Sequence, residues 1–272
     1  MIQEEETFFQ ASYHEHPVQY WEQGNNDLKD KLDCIVEECA IALVYNGISH
    51  AVMMATPANL EEFALGFSLT EGIITNVSQV YDINLSSCDK GIEVNIEISS
   101  QQMSGLKSHR RNLIGRTGCG LCGSESLDKA IKPIKATSPQ SLPTTEAIQR
   151  AVNQLSEHQQ LNSLTGAVHG VAWCDKKGDI KLLREDVGRH NALDKLIGAL
   201  SLDKVILKEG FALTSSRASY EMVQKVSSVN ISTLVAVSAP TALAINLATK
   251  AKINLIGFAR PGRYVVYNKA IT

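Results

Sequence analysis

The sequence predicts a mixed α/β fold in two parts, a smaller N-terminal α+β domain followed by an α/β domain in which helices flank a mixed sheet. Over residues 92–98, isoleucine and valine alternate with polar residues, as in a strand with one buried face. From residue 166 onward, apolar strands alternate with helical segments, a pattern typical of helices covering a largely parallel or mixed sheet. A chain of 272 residues is long enough for two such domains.

The N-terminal half begins with a polar segment and continues as a small α+β domain. Residues 1–30 are acidic and lack periodicity, so we expect them to form a loose arm. Residues 31–130 are the predicted α+β domain, which ends in a cysteine-containing loop. Asn46-Gly47 stands between two apolar runs and predicts a tight hairpin, because both residue types accept the positive φ of such turns.

A helix and a second hairpin are expected next. Residues 57–72 place apolar side chains on one helical face, with Asn59 as the predicted N-cap and Glu62 at the capping-box position. The second hairpin is expected over about residues 80–98, and the basic stretch 101–112 predicts a short helix or loop.

The C-terminal half is predicted to follow a linker. Residues 131–146 are rich in proline, serine and threonine, and a helix is expected after Thr144. Residues 147–272 form the predicted α/β domain, in which residues 188–200 show apolar residues at helical core spacing.

Composition excludes several classes of protein. The chain is 44% hydrophobic and 20% charged with a net charge of −3, so we expect no nucleic-acid partner. No apolar run approaches the roughly 18 residues of a membrane span, and the acidic N-terminus does not read as a secretory signal. We therefore expect a cytoplasmic protein that contacts no membrane and whose six cysteines are thiols.

Cationic and small residues gather where the predicted C-terminal strands end. Ligands of open α/β sheets bind beyond the carboxyl ends of the strands, so these residues predict a cradle for phosphate or pyrophosphate. Its arginines are 184, 189, 217, 260 and 263; its small residues are Gly188, Gly257, Gly262, Ser215, Ser216 and Thr241. The sequence contains neither G-x-G-x-x-G nor a P-loop, so this is no ordinary dinucleotide or ATP site.

Plainer interpretations stand beside this one. Any single arginine is more often a surface or salt-bridge residue than a ligand contact. His169 lies in an apolar strand and reads as a satisfied core histidine, and His190 as an exposed one. The simplest interpretation of four cysteines is that they are small core residues, namely Cys34, Cys39, Cys88 and Cys174.

The most unusual stretch is "GRTGCGLCGSES", which carries Cys119 and Cys122. A structural zinc site needs four ligands, and the chain has no second C-x-x-C. A thioredoxin-like pair would lie in a βαβ unit, which this context does not resemble. Neighbouring arginines and a following helix start favour a thiolate nucleophile on a glycine-flanked loop, while an inert pair is the plain alternative.

Together these segments resemble the formate dehydrogenase accessory sulfurtransferases, the FdhD family, over about residues 30–268. The resemblance rests on "GRTGCGLCG", "TGAVHGVAW", "REDVGRHNALDK", "TSSRASYEMVQK", "SAPTALAI" and "GFARPGR". It implies a C-terminal domain similar in fold to cytidine deaminases. The deaminase zinc signature is missing, so deaminase chemistry is not implied.

The resemblance implies a sulfurtransferase that acts in formate dehydrogenase maturation. A cysteine desulfurase would load sulfur on Cys119 as a persulfide, with Cys122 as second thiol. The sulfur would pass to the molybdenum cofactor, in its bis-molybdopterin guanine dinucleotide form, before that cofactor enters the catalytic subunit of formate dehydrogenase. The implied cofactor-binding segment is Phe258, Ala259, Arg260, Pro261, Gly262 and Arg263.

The resemblance further implies a homodimer, GDP as a ligand mimic and no structural metal. Two hypotheses from other classes remain open. The chain could be a cofactor-binding chaperone whose cysteines are dispensable, or a small zinc-dependent hydrolase or binding module.

Overall fold

The computed structural model describes residues 12–24, 26–111 and 134–270. Cys119 and Cys122 lie outside the described residues, as do residues 1–11 of the predicted arm. Two antiparallel strands, β1 (Tyr13–Tyr20) and β2 (Lys29–Val36), form a ribbon. The structure therefore corrects the expectation of a loose arm, since residues 13–20 pair along their whole length with β2.

The N-terminal domain is a four-stranded sheet with a helix packed on one face. Its strands are β3 (Cys39–Tyr45), β4 (Ile48–Ala55), β5 (Val80–Cys88) and β6 (Gly91–Ile98), in the order β4-β3-β6-β5. Both predicted hairpins are confirmed. Asn46 and Gly47 have φ values of 46° and 77°, the left-handed backbone that a two-residue hairpin turn requires.

Two helices belong to this half, α1 (Leu60–Thr70) and α2 (Ser100–Arg111). Helix α1 is confirmed, but its predicted capping is wrong. Asn59 has left-handed backbone (φ 55°) and makes no side-chain cap hydrogen bond. Glu62 instead forms an ion pair with the C-terminal half, because long-range charge pairing competes for the side chain of a capping-box glutamate.

The C-terminal domain is a six-stranded mixed sheet, as predicted. Strands β7 (His169–Asp175), β8 (Ile180–Asp186), β9 (Gly210–Thr214), β10 (Thr233–Ala236), β11 (Asn254–Arg260) and β12 (Arg263–Asn268) lie in the order β12-β11-β10-β9-β7-β8. Strands β9, β10 and β11 are parallel, and β7, β8 and β12 pair antiparallel to their neighbours.

Helices cover both faces of this sheet. Helices α5 (Arg189–Leu202), α6 (Tyr220–Ser228) and α7 (Ala242–Ala251) pack on the face that carries Val171 and Trp173. Helix α3 (Thr145–His158) packs on the face that carries Ala172 and Cys174, and the short α4 (Gln160–Thr165) follows it. Alternate residues of β7 thus enter different cores, as the twofold repeat of a strand requires.

The stretch that leads to α3 has no helix or strand from residue 134 to residue 144. It is nevertheless anchored, because the Thr137 hydroxyl donates to the Ala251 and Lys252 carbonyls. The Thr144 side chain accepts a hydrogen bond from the Ala147 N–H and so caps α3. In the described part of the chain, no helix combines the length and apolar character needed to cross a membrane.

The two halves meet where α1 crosses α5. A Cβ at Gly66 would lie 1.7 Å from the Asp194 carbonyl oxygen, and one at Gly198 would lie 1.9 Å from that of Glu62. Only glycine fits at either position, so the two helix backbones are in direct contact.

Candidate functional site

Four basic side chains lie at one edge of the six-stranded sheet. The parallel strands β9, β10 and β11 end there, and β7 begins there because it runs antiparallel to β9, with Val171 opposite Thr214. His169 opens β7, Arg189 and His190 open α5, and Arg217 lies in the loop between β9 and α6. We call these four residues the cationic edge.

His169 is half-buried at this edge. Burial and then the positive charges of Arg189, Arg217 and His190 lower its pKa below the usual 6.5. The side chain is therefore neutral at pH 7. The structure corrects its assignment as a core histidine: His169 is the first residue of its strand and half-buried among other basic groups.

His190 and Arg189 share one carboxylate. His190 Nε2 lies 2.6 Å from Glu221 Oε2, and an Arg189 terminal nitrogen lies 4.0 Å from the same oxygen. The hydrogen bond with His190 is the main cause of the lowered pKa of Glu221, which burial partly opposes. Arg189 Nε is buried and has no hydrogen-bond partner among the described residues, so this edge contains one unsatisfied donor.

The histidine does not belong to a Ser-His-Glu hydrolytic triad. Ser219 Oγ lies 3.3 Å from His190 Nε2, the same nitrogen that contacts Glu221. A triad requires the nucleophile and the carboxylate on opposite ring nitrogens, so that the carboxylate orients the imidazole while the other nitrogen accepts the proton of the nucleophile. The geometry therefore favours ligand binding over nucleophilic hydrolysis at this edge.

Backbone hydrogen bonds hold the loops of this edge side by side. Gly170 N–H donates to Ser215 Oγ at 3.0 Å, and Ser215 N–H donates back to the Gly170 carbonyl at 2.9 Å. The Thr241 N–H donates to the Ala218 carbonyl, and the Thr241 side chain caps α7 by accepting from Ala244 N–H. These contacts fix the loops that carry the basic residues.

Arg184 does not belong to this site, contrary to the prediction. It lies within β8, which extends to Asp186 and not merely to about residue 183. Its guanidinium forms a two-point ion pair with Glu62 of α1, at 2.5 Å from Nε to Oε2 and 2.6 Å from the terminal nitrogen to Oε1. Because both groups are largely buried, this arginine joins the two halves and is not available to a ligand.

The predicted cofactor-binding segment forms the turn between β11 and β12. We call Arg260 to Arg263 the hairpin tip; Arg260 pairs with Arg263, and both side chains are exposed. Pro261 and Gly262, with φ +79° at the glycine, form the turn between them. Phe258 has a strained φ of 49°, and its N–H donates to the Ser238 carbonyl. Ala259 is buried in the core, so its side chain faces inward.

Helix α3 holds the hairpin tip. Gln149 Oε1 accepts from the Gly262 N–H at 2.7 Å, and Gln149 Nε2 donates to the Arg260 and Arg263 carbonyls at 3.3 and 3.5 Å. The tip is thus built on α3, whereas the cationic edge is built on β7, α5 and the loop after β9. Because β11 ends at Arg260, the tip lies at the same end of the sheet as the cationic edge, on different supporting elements.

Two of the predicted ligand-approach glycines serve protein packing instead. A Cβ at Gly257 would lie 2.8 Å from Pro240 Cδ, and one at Gly188 would lie 2.8 Å from Asn191 Nδ2. Gly262 has open space around it, so its role is the positive φ of the turn.

The cysteines divide by exposure. Cys174 is buried and burial raises its thiol pKa; Cys39 is half-buried and its pKa is raised for the same reason. Cys88 is exposed at the hairpin between β5 and β6, so the expectation of a core residue is wrong there. Within the described ranges, no three His, Cys, Asp or Glu side chains gather as metal ligands would.

Glu221 and Gln149 are functional candidates that sequence reasoning missed. Glu221 lies in the first turn of α6, 31 positions from His190 in the chain, and only the packing of α5 beside α6 brings the two together. Gln149 is one of several polar residues on an amphipathic helix. The only feature of the sequence that could have pointed to Glu221 and Gln149 is that each lies near the start of a predicted helix.

Comparison with known proteins is consistent with this architecture. A protein named sulfur carrier protein FdhD from Cupriavidus necator is 53% identical over 251 residues, which are 92% of this chain and 86% of that protein. One of the same name from Acinetobacter baylyi is 50% identical over 87% of this chain and 86% of that protein.

The crystal structure of a protein described as a formate dehydrogenase accessory protein from Desulfotalea psychrophila shares the fold. Its TM-score is 0.74 with 21% identity, and the match covers 96% of this chain and 100% of that one. The profile of the FdhD/NarQ family matches residues 36–271. The chain belongs to the FdhD/NarQ family.

Proposed function

We propose that this protein is a sulfur carrier in the maturation of formate dehydrogenase. Its relatives bear the name sulfur carrier protein, and the exposed-thiol chemistry predicted for "GRTGCGLCGSES" suits that role. The observation that carries the proposal is the cationic edge, where three half-buried basic groups and one exposed arginine lie together in a chain whose overall charge is negative.

The sulfur transfer proceeds through Cys119 in two steps. The Cys119 thiolate attacks the terminal sulfur of a persulfide on a cysteine desulfurase. The donor S–S bond breaks, the donor cysteine leaves as a thiolate, and a new S–S bond forms on Cys119. The S–S bond on Cys119 then breaks, and Cys119 keeps the bonding electron pair and is regenerated as a thiolate. The terminal sulfur passes, at the oxidation level of elemental sulfur, to the molybdenum cofactor as substrate, whose reduced metal would supply the two electrons that convert it to sulfide. Cys122 supplies the second thiol.

The cofactor substrate is a bis-molybdopterin guanine dinucleotide, so it carries two diphosphate groups. Arginine forks and helix starts favour such groups, since several N–H donors can meet one phosphate. We assign one diphosphate to the cationic edge and the other to Arg260 and Arg263 of the hairpin tip. GDP, as a fragment of this substrate, should bind the same groups.

The carrier role is tested by loading sulfur in the presence of a desulfurase and cysteine. Mass spectrometry of the wild type should show one added sulfur on the peptide with Cys119, a gain of about 32 Da that a reductant removes. Cys119→Ala should lose this adduct and fail to activate formate dehydrogenase. Cys88→Ala is the matched control, because Cys88 is also exposed and should be dispensable.

Full activation by Cys119→Ala would overturn the carrier role and favour the cofactor-binding chaperone. The third hypothesis is decided on the same sample by metal analysis. Stoichiometric zinc that remains after dialysis would support a zinc-dependent module in its place.

The binding role is tested by calorimetry with GDP. Affinity should be modest and should weaken with added salt. Arg260→Ala or Arg263→Ala should cost about 1.5–3 kcal/mol, roughly ten- to hundredfold in affinity. Arg263→Lys keeps the charge but loses the fork and should recover affinity only in part. All three variants should still load sulfur on Cys119.

Lys208→Ala is the matched control, since Lys208 is an exposed cation at the opposite edge of the same sheet. If both arginine variants bind GDP as the wild type does, the hairpin tip is a surface turn and the ligand lies elsewhere. Equal binding of all nucleotides would count against a guanine-specific site.

A further inference from the structure

The carboxylate of Asp186 is fully buried and accepts five hydrogen bonds. Its Oδ2 accepts from the N–H and Oγ1 of Thr56, at 3.1 and 2.9 Å, and from Lys195 Nζ at 2.7 Å. Its Oδ1 accepts from the Gly188 N–H at 2.8 Å and from Asn191 Nδ2 at 3.0 Å. So complete a set of donors fixes both the position and the rotation of the carboxylate.

These donors come from both halves of the molecule. Thr56 follows β4 of the N-terminal sheet, whereas Asp186 ends β8 and the other donors precede or belong to α5. Lys195 Nζ also donates to the Thr56 carbonyl at 3.0 Å, and Asn191 Nδ2 also donates to the Met54 carbonyl at 2.8 Å. The end of β4 is therefore fastened to the start of α5.

The first two residues of α5, Arg189 and His190, belong to the cationic edge. Gly188 is the N-cap of this helix and offers no side chain to cap it, so the Asp186 carboxylate organises the turn from outside the helix. Arg189 and His190 follow directly. Their direction depends on the backbone at Gly188, and this backbone is held from the N-terminal half through Asp186 and Thr56.

Thr56, Asp186 and Lys195 form a buried triad of threonine, aspartate and lysine. A second buried triad of the same three residue types lies farther along the interface between the two halves. The Thr70 hydroxyl donates to Asp194 Oδ1 at 2.8 Å, and Lys225 Nζ donates to Asp194 Oδ2 at 2.8 Å. This triad joins α1, α5 and α6 but does not touch the turn before α5. It offers a natural comparison, since it has the same residue types in a largely buried setting and its hydrogen bonds do not involve the turn at Gly188.

We infer that Thr56 and Asp186 are positioning residues, through which the N-terminal domain sets the orientation of Arg189 and His190 for a phosphate ligand. The inference rests on the proposed function as far as the ligand is concerned. It assigns the N-terminal domain a part in binding, although that domain contributes no residue to the cationic edge itself.

The experiment compares three variants of the full chain. Thr56→Val removes the hydroxyl at constant shape, Thr56→Ser restores it, and Thr70→Val is the control in the second triad. One readout is GDP affinity by calorimetry. The other is amide hydrogen exchange of residues 187–192 in the ligand-free protein, which depends on no ligand.

Thr56→Val should bind GDP about tenfold more weakly, as expected for one lost buried hydrogen bond to a charged group, and should exchange faster at residues 187–192. Thr56→Ser should recover both properties. Thr70→Val should lower the melting temperature about as much as Thr56→Val does. It should change neither the affinity for GDP nor the exchange at residues 187–192. Persulfide loading on Cys119 should be unaffected in all three.

Equal exchange at residues 187–192 in Thr56→Val and the wild type would overturn the inference, as would equal effects of Thr56→Val and Thr70→Val. If the wild type binds no GDP, the proposed function fails, while the exchange readout still decides the positioning role. Should Thr56→Val not fold, Asn191→Ala takes its place, because it removes the link from Met54 to Asp186 within the same network.

Discussion

Replacing Gly66 by alanine would insert a methyl group between α1 and α5. The added carbon would lie 1.7 Å from the Asp194 carbonyl oxygen, 2.6 Å from the carbonyl carbon and 2.9 Å from the Gly198 nitrogen. All three atoms are backbone, so no side chain can rotate to make room. The helices would have to separate by roughly 1.5 Å to reach ordinary van der Waals contact.

The magnitude follows from two opposing effects. Overpacking of a well-packed interface costs about 1–3 kcal/mol, and the upper end applies where only backbone can move. Alanine in place of glycine in a helix recovers about 1 kcal/mol. We therefore expect Gly66→Ala to lower the free energy of unfolding by about 2 kcal/mol or more.

Urea denaturation measures this change directly. Gly105→Ala is the control, because Gly105 lies in α2, where an added methyl group would have no atom of the described residues within 4 Å. This variant should gain about 0.5–1 kcal/mol. Should Gly66→Ala prove as stable as the wild type, the close contact of α1 with α5 is wrong. Parallel changes in both variants would mean that helix propensity alone governs these positions.

Four further outcomes are expected. A bound anion should raise the lowered pKa of His169, so the wild type should take up a proton when it binds GDP. His169→Gln should not take up this proton. Calorimetry in buffers of different ionisation enthalpy would measure the difference. In the free protein, the neutral His169 contributes stability that is present above pH 6.5 and is lost as the pH falls through its lowered pKa, which acid titration of unfolding should show. Gln149→Ala should weaken GDP binding without unfolding the protein, because it frees the hairpin tip from α3; unchanged affinity would contradict this. Asp194→Asn should cost about 3–5 kcal/mol of unfolding free energy, since it leaves the buried ammonium of Lys225 without its nearest carboxylate; a loss below about 1 kcal/mol would refute the buried ion pair.

Local features of the fold could be predicted from the sequence because their causes are local. Asn46-Gly47 readily adopts the positive φ of a tight hairpin turn, and the alternation over residues 92–98 has only one strand register that buries its apolar face. The mixed sheet followed from alternating strands and helices. The ribbon of β1 and β2 could not be predicted, since its residues are mostly exposed and leave little hydrophobic pattern.

The candidate site was predicted in part. Arg189 and Arg217 do lie together at the carboxyl edge of the sheet, because the rule that governs parallel strands depends only on topology. Arg184 and Glu62 are 122 residues apart, and their pairing depends on how α1 docks against β8. No local pattern distinguishes an arginine committed to such a pair from one that faces a ligand.

The adjacent residues Asp194 and Lys195 couple the unfolding of the two halves. Asp194 pairs with Lys225 of α6, and Lys195 pairs with Asp186 of β8. Asp194 also accepts a hydrogen bond from Thr70 of α1, and Lys195 donates one to Thr56, which follows β4, so α5 cannot rotate or fray without breaking contacts to both halves. Two sheets of this size could melt independently if only a linker joined them. Fastened to one helix by neighbouring charged side chains, they should instead unfold in a single cooperative transition.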